Sequence, residues 1–168
     1  MFAETWHSDW SFKEDPPIGT MLYGITIPPV GGHTSFSNQQ AALAQMPSET
    51  RAKLEGLKVW HSAATAYAPD GFYGDAAREA DRSMKIVISD EAHERRLHPL
   101  IQTHPESGRQ TLFSTFGYIC GVEGMAQEAA QALLLELYEW QIRAEFRYEH
   151  HWQPGMLVLW EPLCVAPR

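Results

Sequence analysis

Thr20-Met21-Leu22-Tyr23-Gly24-Ile25-Thr26-Ile27 alternates: Met21, Tyr23, Ile25 and Ile27 fall on one side of an extended chain, Thr20, Leu22, Gly24 and Thr26 on the other. A period of two predicts a strand over 20–27, and Pro28-Pro29-Val30-Gly31-Gly32 ends it. Working outward, residues 5–12 (TWHSDWSF), 58–66 and 110–120 (QTLFSTFGYIC) also read as extended. Residues 146–152 and 156–160 read as two strands joined at Gln153-Pro154-Gly155. Helical patterns are fewer. Residues 38–46 form a short helix stopped at Pro47, and Ser48 caps a second helix that reaches Leu57. Residues 126–142 carry a broad apolar stripe of Ala130, Leu133, Leu134, Leu137 and Trp140. Residues 67–96, with weak periodicity, Pro69, Gly71 and Gly74, read as a long loop of the kind that covers binding sites. Strands dominate and no βαβ order occurs, so a mainly β fold with helical insertions, a sandwich or jelly roll, is expected over a doubly wound sheet.

The composition narrows the class. In 168 residues there are 13 basic and 21 acidic side chains, a formal net charge of −8. With no Lys/Arg cluster, nucleic acid is not expected as a partner. No apolar run approaches the ~20 residues of a membrane helix, and no signal pattern opens the chain, so no membrane partner and a cytoplasmic location are expected. Cys120 and Cys164 are too few for a disulfide framework. A single domain over 1–168 follows from the length.

The sharpest local feature is His7-Ser8-Asp9. On an extended chain residues i and i+2 share a side, so His7 and Asp9 converge while Ser8 turns away. An imidazole and a carboxylate so placed supply two of the three donors of a two-His-one-carboxylate Fe(II) site. Chance gives about 0.3 such pairs in a chain of this composition, so the spacing alone leaves a surface His beside a turn Asp as the competing reading. His61 is either a satisfied core histidine or a pocket group. His150 and His151, adjacent on a strand, point to opposite faces. Zinc-hydrolase, P-loop, dinucleotide-binding and nucleophile-elbow motifs are absent.

Four segments in order carry more than any one motif: Trp6-His7-Ser8-Asp9-Trp10-Ser11-Phe12; Pro28-Pro29-Val30-Gly31-Gly32-His33-Thr34; Thr103-His104-Pro105-Glu106-Ser107-Gly108-Arg109; and Trp152-Gln153-Pro154-Gly155-Met156 running to Trp160. Together they resemble the taurine dioxygenase-like family of Fe(II)/2-oxoglutarate dioxygenases, essentially end to end. The resemblance implies a double-stranded β-helix (jelly roll), incomplete here. It implies His7 and Asp9 as iron ligands and Thr34 as a partner of the distal carboxylate of 2-oxoglutarate. Trp6 and His61 become pocket candidates, and 67–96 becomes the family's variable lid. The implied partners are Fe(II), 2-oxoglutarate, O₂ and a small organic acid, taurine- or sulfonate-like, with a homo-oligomer a further expectation. The implied reaction is hydroxylation coupled to decarboxylation of 2-oxoglutarate.

The resemblance breaks near the end. Family members follow the late strand with W-D-N-R-x-x-x-H, whose His is the third iron ligand, and with a later Arg for 2-oxoglutarate. Here Trp160-Glu161-Pro162-Leu163-Cys164-Val165-Ala166-Pro167-Arg168 puts Pro167 at the ligand position, and the Arg position falls beyond the sequence. The segment that precedes the first ligand in the family is likewise missing. One codon choice for Glu161–Arg168, with two bases restored, reads Asp-Asn-Arg-Cys-Ala-Trp-His-Arg, so a frameshift is one expectation for the departure. Weak iron binding is another, with rescue by His150 or His151 a minor route. The alternative reading is a non-catalytic jelly-roll remnant or binding protein.

Overall fold

The computed structural model describes residues 5–74, 86–114 and 117–168. Its strands are β1 (Thr20–Tyr23), β2 (Thr34–Asn38), β3 (Lys58–Ser62), β4 (Arg95–Pro99), β5 (Ile101–Thr103), β6 (Gln110–Leu112), β7 (Ile119–Val122), β8 (Arg147–His150), β9 (Leu157–Trp160) and β10 (Val165–Pro167). Its helices are α1 (Gln39–Ala44), α2 (Ser48–Leu54), α3 (Ala64–Tyr67) and α4 (Gln127–Gln141). All strand pairs are antiparallel, in the sets β1-β9, β10-β2-β8, β4-β3-β7 and β5-β6.

Local chemistry explains most boundaries. The Asn38 side chain accepts from the Ala41 N–H (2.9 Å) and starts α1, and the chain leaves helical form before Pro47. Helix α2 has Glu49 in its first turn and Arg51 and Lys53 in its last, matching the helix dipole. Pro47 stands at its cap and Ser48 is already inside, so the expected serine cap does not form. In α4 the stripe is as expected: Ala130, Leu134 and Leu137 are buried, with Leu133 and Trp140 partly covered. They meet Leu43, Leu54, Val59, Leu100, Leu112, Val122 and Phe146 in the main core. The end of α4 is fixed by its polar groups: Trp140 Nε1 donates to the Ala42 carbonyl (2.8 Å), and the Ser37 hydroxyl of β2 donates to the Gln141 carbonyl.

Several expectations need correction. Residues 9–12 are turns rather than a strand, with Trp10 at φ 57°. The strand expected over 20–27 stops at Tyr23, and Met21, Leu22 and Tyr23 are all exposed. The strand expected over 58–66 gives way to α3 after Ser62. Residues 110–120 hold two strands in different sheets, β6 and β7, and β8 and β9 do not form a hairpin with each other. Instead β9 pairs β1, with Met21 opposite Leu159 and Tyr23 opposite Leu157. The 67–96 segment is not loop throughout: it begins at the end of α3, has a 3₁₀ turn at Asp90–His93 and runs into β4, while 75–85 lie outside the described residues.

Candidate active site

The segment that carries His7 is tied to the sheet by its backbone. The His7 N–H donates to the Pro167 carbonyl (3.2 Å). Pro167 lies opposite Phe36 in the β10-β2 pair, and Arg168 exchanges two backbone hydrogen bonds with Ser35. His7 is therefore linked through β10 to the start of β2, where Thr34 sits. Gly117 makes room: a Cβ there would come within 2.7 Å of the His7 Cβ.

His7 and Asp9 converge as the spacing implied, through a turn rather than a strand. His7 Nε2 and Asp9 Oδ1 are 3.3 Å apart. The other atoms of both groups are held. His7 Nδ1 faces the Thr5 carbonyl at 2.8 Å; a carbonyl only accepts, so Nδ1 carries the proton. Trp160 Nε1 donates to Asp9 Oδ2 (3.0 Å). Burial alone would push the Asp9 carboxyl up, but the hydrogen bond and charge of His7, with hydrogen bonds from Thr20 and Trp160, hold it below the usual carboxylate range. These outer contacts are the kind that fix the tautomer and aim of metal-ligating side chains. Sequence reasoning gave Trp160 and Thr20 no role here, because their contact with Asp9 arises only when β1 pairs with β9.

Both donors open onto a cavity of about 840 Å³. Trp10, Phe12, Tyr67 and Tyr118 give it an aromatic lining, to which residues 86–96 add Ile86, Val87, Ser89, Glu91 and Ala92. Lys13 brings a cation, its Nζ 5.8 Å from the Trp10 ring and 5.9 Å from the Phe12 ring, whereas Arg96 is paired with Glu94 at 2.7 Å. Burial, with the neighbouring Tyr67 hydroxyl, raises the Tyr118 phenol far above its ordinary value, so Tyr118 stays a neutral donor. None of these aromatic and cationic groups was singled out as a pocket residue, since they come from turns, the end of α3 and β4, with no shared periodicity.

The other candidates are placed differently. Thr34 opens β2 opposite His150, and its Oγ1 accepts from Trp152 Nε1 at 2.9 Å. That contact uses a lone pair and leaves the hydroxyl proton to donate elsewhere. Trp6 and His61 are fully buried and do not line the cavity. His61 stacks on Phe113 (centroids 5.0 Å apart) with Nδ1 2.9 Å from Ser11 Oγ, so it is a core group rather than a pocket group. Burial, then the neighbouring His98, lowers its pKa to about 3. Among the described residues, the three-donor His/Cys/Asp/Glu groups are His33-Glu149-His151 and His104-Glu161-Cys164; neither includes His7 or Asp9. His150 and His151 thus supply no third donor to the His7/Asp9 pair, and at Pro167 the chain offers a carbonyl that His7 N–H already engages.

A family profile described as the taurine catabolism dioxygenase TauD, TfdA family matches residues 1–166. The chain belongs to this family. Among curated members, the alpha-ketoglutarate-dependent 2,4-dichlorophenoxyacetate dioxygenase of Cupriavidus pinatubonensis is 34% identical over 167 residues, 98% of this chain and 54% of that protein. A taurine dioxygenase from Burkholderia xenovorans superposes with a TM-score of 0.78 at 26% identity, covering 99% of this chain and 50% of the other. AAD-2, solved in complex with Mn(II) and N-oxalylglycine, superposes with a TM-score of 0.82 at 27% identity, covering 100% and 62%. The mainly β architecture is thus the jelly roll of TauD-like dioxygenases. The chain spans about half the length of the curated relatives it matches. No helix among the described residues is long and apolar enough to cross a membrane.

Proposed function

We propose that this chain serves an Fe(II)- and 2-oxoglutarate-dependent dioxygenase reaction on a small organic acid, taurine- or sulfonate-like. The observation that carries the reading is the His7/Asp9 pair. His7 Nε2 and Asp9 Oδ1 stand 3.3 Å apart, a separation that a shared proton or a shared cation can hold. Two donors 2.0–2.2 Å from one ion, roughly at right angles, stand ~3 Å apart, close to the observed separation. His7 Nε2 and Asp9 Oδ1 would hold the metal, and Thr34 would donate its hydroxyl proton to a carboxylate of 2-oxoglutarate. When bound, iron and 2-oxoglutarate supply oxidative decarboxylation and the hydroxyl that reaches substrate.

The remaining residues orient the substrate and exclude water. Lys13 is the cation for an acidic head group, and the aromatic lining, with Tyr118 a neutral phenol beside Tyr67, covers an apolar body. Residues 86–96 form the cover, one described part of the lid expected over 67–96. A second reading, a binding protein without turnover, is favoured by the lack of a third His, Cys, Asp or Glu donor beside His7 and Asp9 among the described residues.

One experiment separates the two. Fe(II) and then 2-oxoglutarate are added to the 168-residue chain without oxygen, and the visible metal-to-ligand charge-transfer band of the chelate is recorded. The dioxygenase reading expects a band that disappears in His7→Ala and needs more 2-oxoglutarate in Thr34→Val. No band at any 2-oxoglutarate concentration leaves the binding-protein reading.

A further inference from the structure

Beyond the His7/Asp9 site, a second group of donors stands on the surface at the open end of the β2-β8 pair. The register sets Thr34 opposite His150 and Ser35 opposite Glu149. One step further along each strand brings His33 to His151. Alternation along β8 puts Glu149 and His151 on one face, and the partly buried His150 on the other. His33 is delivered by two left-handed glycines, Gly31 (φ 76°) and Gly32 (φ 72°). At Gly32 a Cβ would also meet Pro28 at 2.7 Å, so the approach of this loop depends on glycine.

The donor geometry is that of a chelate. Glu149 Oε1 is 3.4 Å from His33 Nδ1 and 3.3 Å from His151 Nε2. A tetrahedral ion with Zn–N of 2.0–2.1 Å sets its donors about 3.3 to 3.4 Å apart. The remaining ring nitrogens, His33 Nε2 and His151 Nδ1, approach to 3.2 Å, with the ring centroids 4.0 Å apart. A divalent cation between Glu149 and the two rings takes the place of the two protons that would otherwise face Glu149; the two remaining ring N–H groups then face each other, so one ring turns as the ion enters. The side chains are 41%, 54% and 66% exposed for His33, Glu149 and His151, so an ion can enter from solvent and keep water as its fourth ligand.

We infer that His33, Glu149 and His151 form a surface binding site for a divalent transition-metal ion of the zinc class. Two imidazoles and one carboxylate suit Zn(II) over Mg(II) or Ca(II), which prefer all-oxygen shells. The site does not use His7 or Asp9, and it clamps the end of β2 beside Thr34.

The test is calorimetric titration of the full chain with Zn(II), in parallel with His33→Ala, Glu149→Gln and His151→Ala, and with His7→Ala as the control. All three site residues are exposed, so circular dichroism of the variants is expected to match the parent. The His33/Glu149/His151 site should take one Zn(II) with a micromolar or tighter constant, about 10-fold or more weaker in each site variant; His7→Ala removes only the Zn(II) that the His7/Asp9 pair takes and leaves this event in place. X-ray absorption of the zinc-loaded chain should show two imidazoles in the shell. Binding only at about 1 mM or weaker, or an affinity in all three site variants equal to the parent's, would overturn the assignment.

Discussion

Replacing His61 with phenylalanine is expected to remove about 2 kcal/mol of acid sensitivity from the fold. His61 is fully buried on β3, stacked on Phe113, with a pKa lowered from 6.5 to about 3 by burial and by His98. The folded chain therefore holds His61 neutral throughout the range in which the unfolded chain protonates it. Stability is complete above about pH 7 and is lost as the pH falls through 6.5 toward 3. Each pH unit within that window costs about 1.4 kcal/mol for this one proton. From pH 7 to pH 5 the loss is about 2 kcal/mol, and it hardly depends on the folded value, because that lies far below 5. Phenylalanine keeps the stack on Phe113 and cannot titrate. It leaves Ser11 Oγ without its imidazole partner, which costs about 1 kcal/mol at every pH and cancels in the comparison. Urea unfolding of both proteins at pH 7 and pH 5 measures the difference. If both lose the same stability within about 0.5 kcal/mol, His61 does not enter the folded core as a neutral group.

Three other changes probe the site and its frame. Trp160→Phe removes the donor to Asp9 Oδ2 and should weaken Fe(II) binding about 10- to 100-fold while leaving the fold intact, as read by metal titration and circular dichroism. Gly117→Ala sets a methyl against the His7 Cβ and should displace the imidazole, abolishing the charge-transfer band; an unchanged band would show that the backbone yields there at little cost. Leu137→Ala, at 1% exposure in the main core, should cost about 2 to 5 kcal/mol in denaturant unfolding without touching the site.

What the sequence made legible follows from the range of the interactions involved. The start of α1 at Asn38, the apolar face of α4 and the convergence of His7 with Asp9 rest on neighbours within a few residues, and all three were readable. The partners of β8 and β9 were not: a turn at Gln153-Pro154-Gly155 invites a hairpin, but β9 finds β1 and β8 finds β2, choices made by contacts more than a hundred residues apart. The same non-local pairing hid Trp160 behind Asp9. His61 illustrates the reverse case, since a polar residue in a strand was legible as either core or pocket, and only the burial around it decides. The adjacent Phe12 and Lys13 meet Tyr67 and Tyr118 at the cavity from three separate segments, so no local pattern could have grouped them.

The β1-β9 ribbon has a consequence for handling the protein. Met21, Tyr23, Leu157 and Leu159 are each at least 59% exposed and stand in facing pairs, and among the described residues neither strand has a second neighbour. Such a ribbon offers both a greasy face and two open rows of backbone donors and acceptors to any other copy it meets. Keeping copies apart then falls to mutual repulsion from the net charge of −8, a force that added salt screens and acid neutralises. Shelf life in a concentrated stock should accordingly be longest in dilute, mildly alkaline buffer, and Leu159→Glu, which breaks the greasy face and adds to the negative charge, should lengthen it further.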